Sequence, residues 1–416
     1  MYKRIFSIII MICFMMGSTA CSNISNKDSL NDTPANKLGI GSDGSGDAID
    51  GLKHVNQQQG RFGAADGFYF YKSYHPANEM DQSYDNLMYI DYTTAKIVYL
   101  CNKSNCLHND FDCTSYIPTE GAQGLFTYND KLYRLSNAYS LDGKTVVPGL
   151  FVSDLDGSNS KMLYQLDSGM RWLRDFVIGD GVLYADVMVM EQLDSSGLGF
   201  GGDDSNSRIL SVNLGNGKAD IIHDLTNQKI AGVFDSYIII SELKNGEVTF
   251  SLFDTTSNNT TTQAGKIEGT TVYAHSGQKI YYALSNTLSC LDLKTGDTTQ
   301  IATDLPTSPD QIEIYNGFAV CEYSNNSGTQ VHFAVDLSNG NTGQINLFKS
   351  GLDFKAPIEI EAEWGDYFLA LTGYKIDSEY VDWVGVWQDY ISEEHFSLIK
   401  KDDFFKGEAQ YRSIEY

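Results

Sequence analysis

One short pattern recurs seven times along this chain, and it limits the fold more than any other feature. A tight-turn pair stands before a run of aromatic and β-branched residues. The first four cases are Asp66-Gly67 before Phe68-Tyr69-Phe70, Asp130-Lys131 before Leu132-Tyr133, Asp180-Gly181 before Val182-Leu183-Tyr184, and Asp235-Ser236 before Tyr237-Ile238-Ile239. The last three are Gln278-Lys279 before Ile280-Tyr281-Tyr282, Asn316-Gly317 before Phe318-Ala319-Val320, and Gly365-Asp366 before Tyr367-Phe368-Leu369. Turns of this kind beside such runs mark hairpins. They recur at intervals of about 38 to 64 residues, close to the length of a four-stranded propeller blade. The expected fold is therefore all-β, a seven-bladed β-propeller, with six or eight blades as the range of error in the count.

The unit near Thr270 reads most clearly as four strands: Thr271 to Tyr273, Lys279 to Leu284, Leu288 to Leu293, and Thr299 to Ala302. A second turn, Lys294-Thr295-Gly296-Asp297, separates its last two strands. Equivalent turns are Asp156-Gly157-Ser158-Asn159, Gly215-Asn216-Gly217 and Ser338-Asn339-Gly340. Seven prolines in 416 residues suit a chain that is mostly hydrogen-bonded ladder. Phe151 to Asn159 resembles the repeat of TolB-like propellers, and Leu288 to Gly296 is similar to the related quinoprotein-type repeat. Asp154, Asp156 and Asn159 also sketch a calcium loop. The downstream acidic ligand is missing, so a plain hairpin is the better reading.

The first 20 residues form a separate unit. Lys3-Arg4, an apolar run from Ile5 to Met16, and small residues Gly17 to Ala20 describe a secretory signal. The apolar run is too short to span a bilayer. Cys21 after the small residues resembles the lipobox of bacterial lipoproteins, although that family prefers Leu where Ser18 stands. The resemblance implies cleavage before Cys21, lipid on its sulfur, and an extracytoplasmic chain anchored to the cell membrane. The alternative is an ordinary cleaved signal with an incidental Cys. Residues 21–53 carry the lipidated Cys and a flexible linker rich in Ser, Asn, Asp and Gly. Residues 54–416 form the propeller. Losing Lys3 and Arg4 takes the net charge from −25 to −27. Such acidity argues against nucleic acid as a partner and disfavours anionic lipid headgroups. A monomer is expected.

The spacing Cys101-x4-Cys106-x-His108-x4-Cys113 gathers three thiols and one imidazole within one short stretch. These can supply four tetrahedral ligands to one structural zinc. Asp110 and Asp112 can orient the imidazole or add field. One disulfide among Cys101, Cys106 and Cys113 with a spare thiol, or three free thiols, are the alternatives. Cys290 and Cys321 lie in apolar strand contexts and read as small core residues. The module resembles a Cys/His signature of propeller-type lipoproteins of Firmicutes, a group largely without assigned function. In that group Pro often stands where Asn105 does here. The resemblance also supports lipid on Cys21.

Extra length concentrates between the second and third strands of units one, two, three and seven: Lys72 to Asn86, Asn137 to Pro148, Met190 to Ser207, and Gly373 to Glu394. In a closed ring these segments and the Cys/His link share one side of one face. Loops on a rigid scaffold commonly carry binding residues. The seventh segment holds Tyr374, Tyr380, Trp383, Trp387 and Tyr390, which can contact a ligand or pack the loop down. Asp203 and Asp204 in the Gly-rich third segment read as a solvated loop.

There is no nucleophile elbow, no H-E-x-x-H and no phosphate loop. Glu393-Glu394-His395 is a local acid–imidazole cluster, read mainly as surface. The leading expectation is a binding or scaffolding module for a protein, peptide or cell-surface glycan, with no catalytic residues assigned. The alternatives are an enzyme acting on extracellular polysaccharide or peptidoglycan, and a metal- or redox-responsive surface module.

Overall fold

The computed structural model describes residues 51–56, 60–74, 84–118, 122–137, 148–167, 169–189, 206–261, 263–324, 329–381 and 386–416. Seven antiparallel sheets follow one another along the chain, each a meander of four strands from the innermost outward. Blade 1 runs from Arg61 to Tyr99, blade 2 from Ala122 to Gln165, blade 3 from Met170 to Asp224 and blade 4 from Gln228 to Glu268. Blade 5 spans Tyr273 to Ala302, blade 6 Gln311 to Ile345, and blade 7 Glu359 to Ser413. The seven-bladed expectation holds.

The recurring aromatic and β-branched runs are the second strands, and both of their faces are buried. Successive side chains point to opposite faces of a strand. In blade 1, Phe68 and Phe70 enter the layer shared with blade 7, while Tyr69 and Tyr71 enter the layer facing blades 2 and 3. In blade 7, Phe368 and Ala370 face blade 6, and Leu369 and Leu371 face blade 1. The core is thus a ring of layers between blades. Outer strands have little to bury: Lys161–Gln165 and Thr298–Ala302 are largely exposed.

Turn chemistry fixes the register. Asn129-Asp130, Asp180-Gly181 and Asn316-Gly317 all adopt positive φ, as two-residue hairpins require. Between third and fourth strands a second device repeats. The carboxylate of Asp91, Asp254, Asp292 or Asp336 accepts backbone N–H bonds from the turn that follows it. The backbone N–H four residues on then returns to the carbonyl of the same Asp. Asn213 does the same in blade 3. In unit five the first strand is Tyr273–Ser276, further along the chain than the expected Thr271 to Tyr273, and pairs with Lys279–Leu284 of its own blade. His275, buried in that strand, accepts the Val233 N–H of blade 4 through Nε2 (3.3 Å).

Among the described residues, ring closure uses no strand shared between the first and last blades. Three contacts replace it. Phe68, Phe70 and Met88 pack with Leu369, Phe396 and Leu398. Arg61 donates from Nη1 to Glu361 (2.6 Å) and from Nη2 to Glu394 (2.5 Å). A β-bulge between Ile360 and Ala362 makes Glu361 the extra residue that turns to Arg61. Burial opposes the guanidinium charge, but Glu361, Glu394 and Glu359 hold it well above its ordinary range. Finally, the tail beyond Tyr411–Ser413 crosses to blade 1: Ile97 donates to the Glu415 carbonyl, and the Glu415 N–H donates to Ala95.

The chain enters the ring from the opposite end. Lys53–Asn56 pairs antiparallel with the innermost strand of blade 3, opposite Asp175 to Ile178. Val55 and His54 are buried; His54 Nε2 lies 3.2 Å from Asp175, and its ring meets His275 edge-on. Gly51 and Leu52 lie against Gly179, next to the Asp180-Gly181 turn. That is the face of the first-to-second strand turns. The Cys/His link belongs to the other face, where Tyr116–Pro118 pairs with the start of the third strand of blade 1.

Removing Arg61 leaves two carboxylates without their counter-charge, one of them buried. Arg61→Ala is expected to cost about 3–5 kcal/mol in denaturant unfolding. The double variant Arg61→Met/Glu361→Leu is expected to cost clearly less. Equal losses in both would refute the ion pair as the reason.

Candidate metal centre and loop face

The link from blade 1 to blade 2 leaves the last strand of blade 1 at Tyr99. The Cys101 N–H folds back onto the Tyr99 carbonyl (2.7 Å). Asn105 and His108 both adopt left-handed backbone, φ 58° and 57°. Asn and His tolerate that conformation better than most residues. Pro, usual at this place in the resembling group, is locked at negative φ by its ring and would not fit here. The two left-handed residues bring Cys106 and His108 into one tight turn. Asp110 closes the next one: its Oδ1 accepts the Asp112 N–H (3.0 Å) and its carbonyl the Cys113 N–H (3.1 Å). The Asp112 carbonyl accepts from Lys103. Neither acid is seen on the imidazole, so their role is to shape the loop rather than to orient the ring.

The ligand atoms of Cys101, Cys106, His108 and Cys113 lie within 4.8 Å of one another. Four ligands around one zinc-sized ion would stand about 3.3–3.8 Å apart, so the cluster is preformed to within a small contraction. All three thiols are free, with no disulfide formed. Such a Cys3His set can hold a metal ion. His108 presents Nδ1 to the thiols, 3.2 Å from the sulfur of Cys113. Burial pushes the Cys113 thiol up to about 12 and lowers the His108 imidazole. Cys101 is the exception. Burial acts upward on it too, but hydrogen bonds from the Lys103 N–H, the neighbouring thiols and Thr114 bring its thiol below the ordinary value. A bound cation would favour all three thiolates.

Two residues that sequence reasoning passed over support the centre. The Asn86 side chain, buried in the third strand of blade 1, donates to the His108 carbonyl (2.7 Å). Tyr99 stacks on the His108 ring at 4.0 Å and 4°. Neither gave a sequence signal: Tyr99 reads as one more strand aromatic, and the partner of Asn86 lies on a separate element beyond one further turn and strand. Cys290 and Cys321 are buried in blades 5 and 6, as expected of core thiols.

The seventh long segment is not a loop. Tyr367–Val381 and Val386–Lys400 pair as one hairpin out to Val381 opposite Val386, with bulges between Leu371 and Gly373 and between Lys375 and Ile376. Polar residues on both faces conceal strand alternation in the sequence. Tyr374 sits at the base of this arm, partly buried, with Lys349 against its ring and 3.5 Å from its hydroxyl. Tyr390 is half-buried opposite Asp377, and the backbone register sets Tyr380 opposite Trp387. Trp383 lies outside the described residues, as do Cys21, Asp203, Asp204 and the middles of the other three long segments. His395 lies 3.8 Å from Glu393, both partly exposed, while Glu394 belongs to the Arg61 pair.

The base of the arm and the metal centre adjoin across the ring seam. Lys72 of blade 1 lies over the Tyr416 ring (4.6 Å). Burial, Glu394, Glu393 and Tyr99 raise the Tyr416 hydroxyl above its ordinary range. Tyr99 is the residue stacked on His108.

Fold and site together define a seven-bladed β-propeller with a Cys3His cluster on one blade-to-blade link. No protein-family model and no curated protein matches the chain. Solved structures do. A mutant puromycin hydrolase complexed with PGG is 11% identical with a TM-score of 0.51, covering 86% of this chain and 54% of its own. This chain therefore spans about half of that protein. TolB from Acinetobacter baumannii is 8% identical with a TM-score of 0.38, covering 83% of this chain and 78% of its own. An oligogalacturonate lyase in complex with manganese is 10% identical with a TM-score of 0.42, covering 78% and 96%. At these identities the likeness concerns the fold alone.

Protein purified without chelator is expected to carry one transition-metal ion per chain by native mass spectrometry and elemental analysis. Cys106→Ser and Cys113→Ser are each expected to lose it. A metal-free protein two protons lighter than its sequence mass would instead show a disulfide.

Proposed function

We propose that this chain is an extracytoplasmic lipoprotein, anchored through lipid on Cys21, that acts as a binding or scaffolding module. Its ligand is a protein, a peptide or a cell-surface glycan. One zinc ion staples the Cys/His link as a structural metal, since all four ligands are local and leave no open position. The observation that carries this reading is the opposition of the two faces. The N-terminal segment joins the ring at the Asp180-Gly181 face, whereas the metal centre and the blade 7 arm stand on the other. A tether attached on the first face leaves the second open to solvent. The arm is hydrogen-bonded along its length, which lowers the ordering cost of presenting its aromatic residues.

Two variants test the reading. Cys21→Ser is expected to abolish incorporation of labelled palmitate and to move the protein from the membrane to the soluble fraction. Retained label would remove the anchor. Replacing Lys375–Glu393 by a short Gly-Ser turn keeps Tyr374 opposite Glu394, and with it the Arg61 pair. That variant is expected to keep its melting temperature within a few degrees. It should weaken binding to peptide and glycan arrays by about ten-fold or more. Unchanged binding would overturn the role of the arm.

A further inference from the structure

Large apolar side chains are unevenly distributed over the described surface. Tyr74, Val98, Tyr99, Leu107, Phe111 and Tyr416 are all exposed, and all lie on blade 1, its Cys/His link or the tail laid against it. Four rings form a continuous ridge. Tyr74 meets Tyr84 at 4.9 Å, Tyr84 meets Tyr116 at 5.1 Å, and Tyr116 meets Phe111 at 5.2 Å. Leu107, 81% exposed, lies between two metal-ligand positions, Cys106 and His108; Phe111, 57% exposed, lies between His108 and Cys113. Burial and the phenols of Tyr74, Tyr99 and Tyr116 raise the Tyr84 hydroxyl, so this ring at the centre of the ridge stays neutral.

We propose that this ridge is a docking surface for a lysine- or arginine-rich segment of a protein partner, and that metal in the Cys3His cluster sets its shape. The inference rests on the loop-face reading above and names the partner class. Charge complementarity selects the occupant. Asp110 and Asp112, exposed, flank the ridge residue Phe111 in the chain, whose net charge is −25. The link's own Lys103 is engaged by the Asp112 carbonyl. Metal loading does not reverse the sign, since two positive charges against three thiolates leave the centre singly negative. Ring faces attract ammonium and guanidinium groups, and Lys72 over the Tyr416 ring already shows this on the same surface. Ring geometry argues against a sugar. Successive rings tilt by 32°, 44° and 72°, so they form notches for side chains rather than one flat platform. Metal enters because Leu107 is 81% exposed and Phe111 packs mainly on the edge of the Tyr116 ring, so that the flanking ligand positions would hold their backbone.

The test uses the full chain in detergent and a short labelled peptide alternating Arg and Leu, read by fluorescence anisotropy. Tight binding is expected, weakened about ten-fold or more by Leu107→Ser/Phe111→Ser. Raising the salt and removing the metal by chelation are both expected to weaken it as well. Asp110→Lys/Asp112→Lys, which spares every ligand, should give a similar loss. The ridge proposal is overturned if a Glu-for-Arg peptide binds equally, if the Leu107/Phe111 variant binds normally, or if a neutral glycan binds the ridge in place of the peptide. Truncating the blade 7 arm separates the two readings. Peptide binding retained there supports the ridge even where the arm has no role. Binding lost there but kept in the ridge variants overturns the ridge and leaves the loop-face reading standing.

Discussion

Closing a ring of separate sheets without a shared strand is the constraint on which the rest of this molecule depends. Six of the seven blade-to-blade layers are joined by covalent links between consecutive blades. The seventh, between blades 7 and 1, has none. It is held by the Phe68, Phe70 and Phe396 layer, by Arg61 between Glu361 and Glu394, and by the tail hydrogen-bonded to Ala95 and Ile97. Apolar packing supplies most of the energy, but it is non-directional. The ion pair fixes alignment, because the bulge at Glu361 and the arm residue Glu394 must both meet one guanidinium. The candidate functional face straddles that seam: the arm grows from blade 7, and the metal centre follows blade 1. A loosened seam would separate them.

The N-terminal strand acts on the opposite side of the ring. Four residues paired to blade 3 would contribute little alone. Their value lies in what they touch, since His54 reaches Asp175 of blade 3 and the His275 ring of blade 5. Gly232 makes that approach possible. A Cβ there would lie 1.4 Å from the His275 ring, so only glycine lets the imidazole pack against the blade 4 backbone. Burial, and then the neighbouring His54, hold His275 down to about 3, so it stays neutral and can accept the Val233 N–H.

Legibility followed sequence distance. Asn316-Gly317 and Asp180-Gly181 are self-contained turn signals, and the apolar runs after them are long enough to show burial on both faces. The blade count was therefore readable, and so were the four clustered ligands, because the short stretch from Cys101 to Cys113 can fold on itself. Contacts made across the ring left no trace. Lys53 to Asn56 are mixed residues whose partners, Asp175 to Ile178, lie two blades further along the chain. Glu361 looks like any other strand acid until Arg61 is placed opposite it. The blade 7 arm was missed for a different reason. Asp377, Ser378, Ser392 and Glu393 are polar residues in the paired stretch of the hairpin, and such a run gives no apolar alternation to read.

The position of the Cys3His cluster follows from the same physics. Three of the links between blades, those after Gln165, Asp224 and Glu268, are only three or four residues long and continue directly into the next inner strand. The link after Tyr99 is long, and few of its described residues are buried: Leu100 at its start and Cys113, Ser115 and Ile117 near its end, with Leu107 and Phe111 outside. A segment with so little apolar area to bury cannot offset its own conformational entropy by packing. Two left-handed residues, the Asp110 turn and the Asn86 bond guide it, but each contributes on the order of 1 kcal/mol. Coordination of a metal ion by the four clustered side chains would supply far more, and would do so without a core. With an ion bound, the order of the link's exposed side chains would depend on it rather than on the propeller beneath.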